Sequence, residues 1–151
     1  MNTTMTAHRL QVRRLIKASR ARVFDAWIKP ELVMKWLGST SCQVTSAQMD
    51  VRAGGEYAFH VHSADHEDKI VKGTYQEVTP PARLVFTWCG TCAGIEQKDD
   101  TLVTVDFVDK NGATEVCITH ERFANAEICE GHHQGWKDSL EKMEKLLGGK
   151  A

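Results

Sequence analysis

Residues Thr101–Glu121 read TLVTVDFVDKNGATEVCITHE, and the fold turns on how this stretch is read. Thr, Val, Phe and Ile dominate both flanks, the composition of strands. Between them stands Lys110-Asn111-Gly112-Ala113. Asn-Gly enters positive φ at little cost, as a two-residue turn matched to the twist of its strands requires. The stretch therefore reads as a tight antiparallel hairpin. Side chains alternate along a strand, so Val103, Val105 and Phe107 share a face, as do Val116, Ile118 and His120. The hairpin has an apolar face that ends in a histidine.

Upstream the same period of two continues back to Cys42. CQVTSAQM, GEYAFHV, KIVKGTYQEV and RLVFTW are four more runs of strand-like composition. Their separators are turn-like: Arg52-Ala53-Gly54-Gly55, the polar HSADHED, and Thr79-Pro80-Pro81. Strands joined so tightly must be antiparallel neighbours, which makes the sheet a meander. Its inward sets are Tyr57, Phe59 and Val61 in one strand and Leu84, Phe86 and Trp88 in another.

On both sides of this block the period lengthens. His8 to Ile16 reads as a first strand, and Ser19 as the N-cap of a helix carrying Val23, Phe24, Trp27 and Ile28. Pro30 ends that helix and opens a second, with Val33, Trp36 and Leu37 on one face and Gly38 closing it. At the other end Trp136, Leu140, Met143 and Leu147 form the apolar stripe of a long helix. One sheet with helices in two blocks is an α+β architecture.

Composition bounds the function. The chain has 151 residues, a formal net charge of −1 and no basic stripe, so nucleic acid is not an expected partner. No apolar run approaches the ~20 residues that cross a bilayer, and the first residues carry no secretory apolar core. Five cysteines, an odd number, suit a reducing compartment, so a cytoplasmic location is expected.

Five stretches, SRARVFDAWIKPELVMKWLG, MDVRAGGEYAF, GTYQEVTPPARLVFTW, TLVTVDF and GHHQGWKDSLEKMEKLL, occur in an order that resembles the helix-grip fold of the START-like superfamily. More closely they resemble the branch named after the C-terminal domain of the activator of Hsp90 ATPase. The resemblance implies a seven-stranded curved antiparallel sheet, with the C-terminal helix across its concave face. It also implies a hollow between helix and sheet, in a family that spans ligand carriers, a few enzymes and resistance proteins.

The leading expectation is non-catalytic binding of a small apolar or aromatic molecule in that hollow, at the ~300–1,000 Å³ usual for such sites. Tyr57, Phe59, Tyr75, Phe86, Trp88, Trp136, Leu140 and Met143 would line it, and His120 would orient a polar atom of the guest. Two alternatives stand beside it. One is a chaperone-associated interaction module; the other is a cyclase- or hydrolase-like enzyme using His120 with a neighbouring carboxylate such as Glu121. No cofactor is expected, and the chain is expected to be a monomer or weak dimer.

Trp88-Cys89-Gly90-Thr91-Cys92 raises separate possibilities. A redox dithiol needs its Cys-x-x-Cys to open a helix, and the polar AGIEQKDD that follows shows no helical period. The alternation of strand connections places a loop from Cys89 to Asp100 at the same end as His62, His66, His132, His133 and Cys129. Zinc takes thiolate and imidazole together, but one Cys pair is half a structural site and nothing in the spacing supplies the other half. The expectation is therefore no metal, with Trp88 at the mouth of the hollow and the cysteines as small loop residues.

Overall fold

The computed structural model describes residues 9–39, 41–64, 68–92, 95–96, 101–123 and 126–148, with the backbone alone for 90–92 and 95–96. β1 (Leu10–Ile16) leads into α1 (Arg20–Ile28) and α2 (Pro30–Trp36). Ser19 caps α1 by accepting from the Arg22 backbone N–H at 3.3 Å, and Pro30 opens α2. Then come β2 (Cys42–Met49), β3 (Glu56–Ser63), β4 (Lys69–Thr79), β5 (Arg83–Cys92), a two-residue β6 (Ile95–Glu96), β7 (Thr101–Lys110) and β8 (Ala113–Glu121). α3 (Ala126–Met143) follows and runs into a π-turn at Glu144–Gly148.

The strands order as β1-β8-β7-β5-β4-β3-β2, all neighbours antiparallel, with β6 folded back on β5. The meander is as expected, and β1 closes on β8 by pairing Leu10 with His120 and Ile16 with Thr114. Asn111 (φ 57) and Gly112 (φ 91) both sit in the left-handed region, the turn that their types require. The structure is thus the seven-stranded α+β helix grip, with one short extra strand.

Two register shifts curl the sheet, one between Val44 and Ser46 and one between Tyr75 and Glu77. Each adds one residue to one strand, which bends it and sharpens its twist. Gly73 lies beside the second. A Cβ built there would fall 2.0 Å from the Thr87 carbonyl oxygen, so only glycine lets β4 come this close to β5. Tyr57, the cross-strand partner of Gly73, lies beside it and donates its hydroxyl to that same carbonyl at 2.6 Å.

The inward face matches the alternation of the sequence. Tyr57, Phe59, Val61, Leu84, Phe86, Trp88, Val103, Val105, Phe107, Val116, Ile118 and His120 are all buried. The C-terminal part of α3 and its π-turn are fixed by three contacts. Ser139 Oγ accepts from the Gly38 backbone N–H at 2.8 Å, Lys142 donates to the Ser39 carbonyl at 2.9 Å, and Arg14 on β1 pairs with Glu144.

WCGTC departs from expectation. It is no loop but the continuation of β5, with Cys89 opposite Lys72 and Gly90 opposite Val71. Thr91 and Cys92 then pair with Glu96 and Ile95. The apolar alternation stops at Trp88, which ends the strand on paper, whereas backbone hydrogen bonding to β4 carries it on regardless of side-chain type.

Candidate functional site

Between the sheet and the helices lies a narrow slot. Its walls are Trp27 on α1, Val33 and Trp36 on α2 with Leu37 at its C-terminal end, Tyr57 and Phe59 on β3, Tyr75 on β4, Phe86 and Trp88 on β5, and Trp136 on α3. Eight of these ten side chains are aromatic and none is charged. The free volume is about 20 Å³, against the ~300–1,000 Å³ that a drug-sized guest occupies. All four tryptophans of the chain converge here, and their rings fill the hollow. Trp27 lies 4.6 Å from Trp36 and 5.7 Å from Trp136, and Trp136 lies 5.2 Å from Trp88, centroid to centroid. Tyr57, Phe59, Tyr75 and Phe86 form a second linked set at 4.8–6.0 Å.

How the slot is spanned bears on what it can do. The backbone of α3 packs closely on β1 and α2. Towards β5 the gap is instead bridged by side chains, Trp136 against Trp88. Space bridged by ring tips can be altered by rotamer changes, while a close backbone contact cannot.

Six of the nine residues expected at the site, Tyr57, Phe59, Tyr75, Phe86, Trp88 and Trp136, line the slot. Leu140 and Met143 lie fully buried in the core and are not among its walls, because that half of α3 is drawn to β1. Trp27, Val33, Trp36 and Leu37 were not anticipated. On α1 and α2 they carry the spacing of ordinary core residues, and only the polar indole nitrogens set two of them apart.

His120 is fully buried, and both its ring nitrogens are committed to protein. Trp136 Nε1–H donates to Nδ1 at 3.0 Å. An indole nitrogen is a donor only, so Nδ1 must be bare and the ring proton must sit on Nε2. Nε2–H therefore donates to Thr101 Oγ1 at 2.7 Å, and Thr101 passes its own hydroxyl hydrogen to the Trp88 carbonyl at 2.7 Å. The three bonds run in one direction and tie α3, β8, β7 and β5 together. Burial, and then the neighbouring His132, hold the His120 pKa well below 6.5. His132, 5.2 Å away ring to ring, donates Nδ1–H to the Ile128 carbonyl at 2.9 Å. Its pKa is lowered chiefly by burial, against the opposing pull of that carbonyl.

The expected rim of histidines and cysteines is only partly described. His62 pairs with Asp68 at 2.8 Å on the outer face, while His132 packs inward on Trp88 and Phe123. Among the described residues no three His, Cys, Asp or Glu side chains gather as around a metal. His66 and the Cys92 side chain lie outside the described residues. Elsewhere, a shallow recess of about 570 Å³ on the outer face of the sheet is lined by residues that include Arg13, Arg20, Asp106, Glu115 and Cys117. Among the described residues no helix is long and apolar enough to cross a membrane.

An α+β helix-grip domain, with a curled antiparallel sheet closed by three helices over a box of aromatic rings, is the class of protein these features define. Residues 17–148 match the family described as Activator of Hsp90 ATPase homolog 1-like protein, and the chain belongs to that family. Solved structures with the same fold include a protein of Chromobacterium violaceum, 22% identical with a TM-score of 0.81 over 95% of this chain and 99% of that one. Another is from Nitrosomonas europaea, 20% identical with a TM-score of 0.81 over 94% and 96%. A third is the AHSA1 protein of Silicibacter pomeroyi, 21% identical with a TM-score of 0.78 over 93% and 97%. At such identities the likeness is one of fold. No curated protein matches this sequence.

Proposed function

We propose that the chain binds a small, flat, apolar or aromatic molecule in the slot between α1–α2, α3 and β3–β5, without turning it over. The observation that carries this reading is the uncharged slot with eight aromatic walls, spanned towards β5 by side chains rather than by close backbone contact. A flat guest would enter by rotation of Trp88 and stack between rings, in the offset or edge-on geometries that aromatics favour. The free volume of about 20 Å³ holds roughly one water, so binding must widen the slot. The non-catalytic part of the reading is supported by His120, whose two ring nitrogens already serve Trp136 and Thr101. A cytoplasmic setting is supported by the free thiols of Cys42, Cys117 and Cys129.

Titration with neutral bicyclic aromatics, followed by NMR of the tryptophan side-chain N–H groups, tests the proposal. Shifts should concentrate at Trp27, Trp88 and Trp136, and Phe59→Ala and Trp136→Ala should each change the affinity. Saturation without shifts at these indoles, or unchanged affinity in both variants, refutes the site.

The family supports a second reading, a chaperone-type protein partner. Its docking face would be the outer face of the sheet around the recess, where Leu15 and Val108, both exposed, flank Glu115 in the strand register. Recovery of a stoichiometric chaperone complex that Val108→Asp abolishes would favour it. Loss of no partner in that variant would count against it.

A further inference from the structure

Hydrogen bonding of the indoles around the slot is uneven. Trp36 Nε1–H donates to the Ala26 carbonyl at 2.8 Å, and Trp136 Nε1–H to His120 at 3.0 Å. Trp27 Nε1–H, on a side chain only 5% exposed, has no hydrogen-bond partner among the described residues. A buried donor without a partner loses its hydration and gains nothing for it, which is why native interiors rarely tolerate one. The side chain that carries this donor is a wall of the slot.

From this we infer that Trp27 Nε1–H is the polar anchor of the slot, and that its guest is a neutral planar molecule bearing a hydrogen-bond acceptor, such as an aryl ketone. The inference rests on the slot being a binding site. Neutrality follows from the walls: they carry no charge, so an ionised guest would give up its hydration with no counter-charge to meet it. Burial, and then Asp50, push the Tyr75 phenol pKa upwards, so Tyr75 presents no anion either. The acceptor must be on the guest because an indole N–H only donates, and three other wall donors already have acceptors: Tyr57 serves Thr87, Trp36 serves Ala26 and Trp136 serves His120.

1-Indanone and indane have nearly the same shape and differ in one carbonyl oxygen, which makes them the test pair. The intact protein should bind 1-indanone about tenfold more tightly than indane, the order of one hydrogen bond made to an otherwise unpaired donor. Trp27→Phe keeps a ring in the wall and removes the N–H, so that preference should disappear. In wild-type protein labelled with ¹⁵N-indole, the Trp27 N–H signal should move downfield with 1-indanone and not with indane. This readout decides the matter even if Trp27→Phe does not fold. Equal affinities in the wild type, a preference that survives Trp27→Phe, or an unmoved Trp27 signal each overturn the inference while leaving the slot intact. Binding of neither probe overturns the slot and the inference with it.

Discussion

Lowering the pH from 7.5 to 5 should destabilise the fold through His120. Nδ1 of this residue accepts from Trp136, so a proton added there would set one N–H against another inside the core. Burial, followed by His132, keeps the folded pKa well below the ordinary 6.5, whereas the unfolded chain titrates near that value. Between the two values the unfolded state binds more protons, so stability rises with pH. It is intact above about pH 6.5 and declines as the pH falls through that value. For one proton the slope reaches at most about 1.4 kcal/mol per pH unit. His132, also lowered, acts in the same direction. Urea unfolding at a series of pH values, for the wild type and for His120→Gln, separates this contribution from the carboxylates. The variant should be less stable at pH 7.5, with a pH dependence flatter by up to one proton. Identical pH slopes in the two proteins would refute the reasoning.

Four further outcomes follow from the structure. Trp136→Phe keeps a ring against Trp88 but strands His120 Nδ1 in the core, and thermal unfolding should register a loss of about 1–3 kcal/mol. Gly73→Ala should cost about 1–3 kcal/mol, because β4 must retreat from Thr87. Gly131→Ala, on an exposed turn of α3 with nothing within 4 Å of the new methyl group, should gain about 0.5–1 kcal/mol in the same assay. At neutral pH iodoacetamide should alkylate Cys42 ahead of Cys117 and Cys129, as peptide mapping would show. Burial pushes the Cys42 thiol up, but hydrogen bonds from Ser39 and Ser63 with the charge of Lys69 bring it below the ordinary value. Burial and then Glu115 raise Cys117, and burial and then Glu130 raise Cys129.

What the sequence determined by itself was everything that depends on neighbours along the chain. Ser19 and Pro30 mark helix starts, and Asn111-Gly112 marks a hairpin, because capping and turn chemistry involve residues two or three positions apart. Alternation in GEYAFHV, RLVFTW and TLVTVDFV settled which side chains turn inward, since a strand repeats every two residues whatever it packs against. The course of WCGTC was out of reach, because that strand is extended by hydrogen bonds to β4 that leave no trace in its own residue types.

Only the tertiary structure decided how full the hollow is and who walls it. Volume is set by several elements at once. Tyr57, Phe59 and Phe86 could be placed on a face from alternation, but their distance from Trp27 and Trp36 depends on how α1 and α2 close over the curl of the sheet. His120 illustrates the same limit. Its inward direction was legible, while its tautomer depends on Trp136, sixteen residues away, and Thr101, nineteen away, meeting the two ring nitrogens from opposite sides.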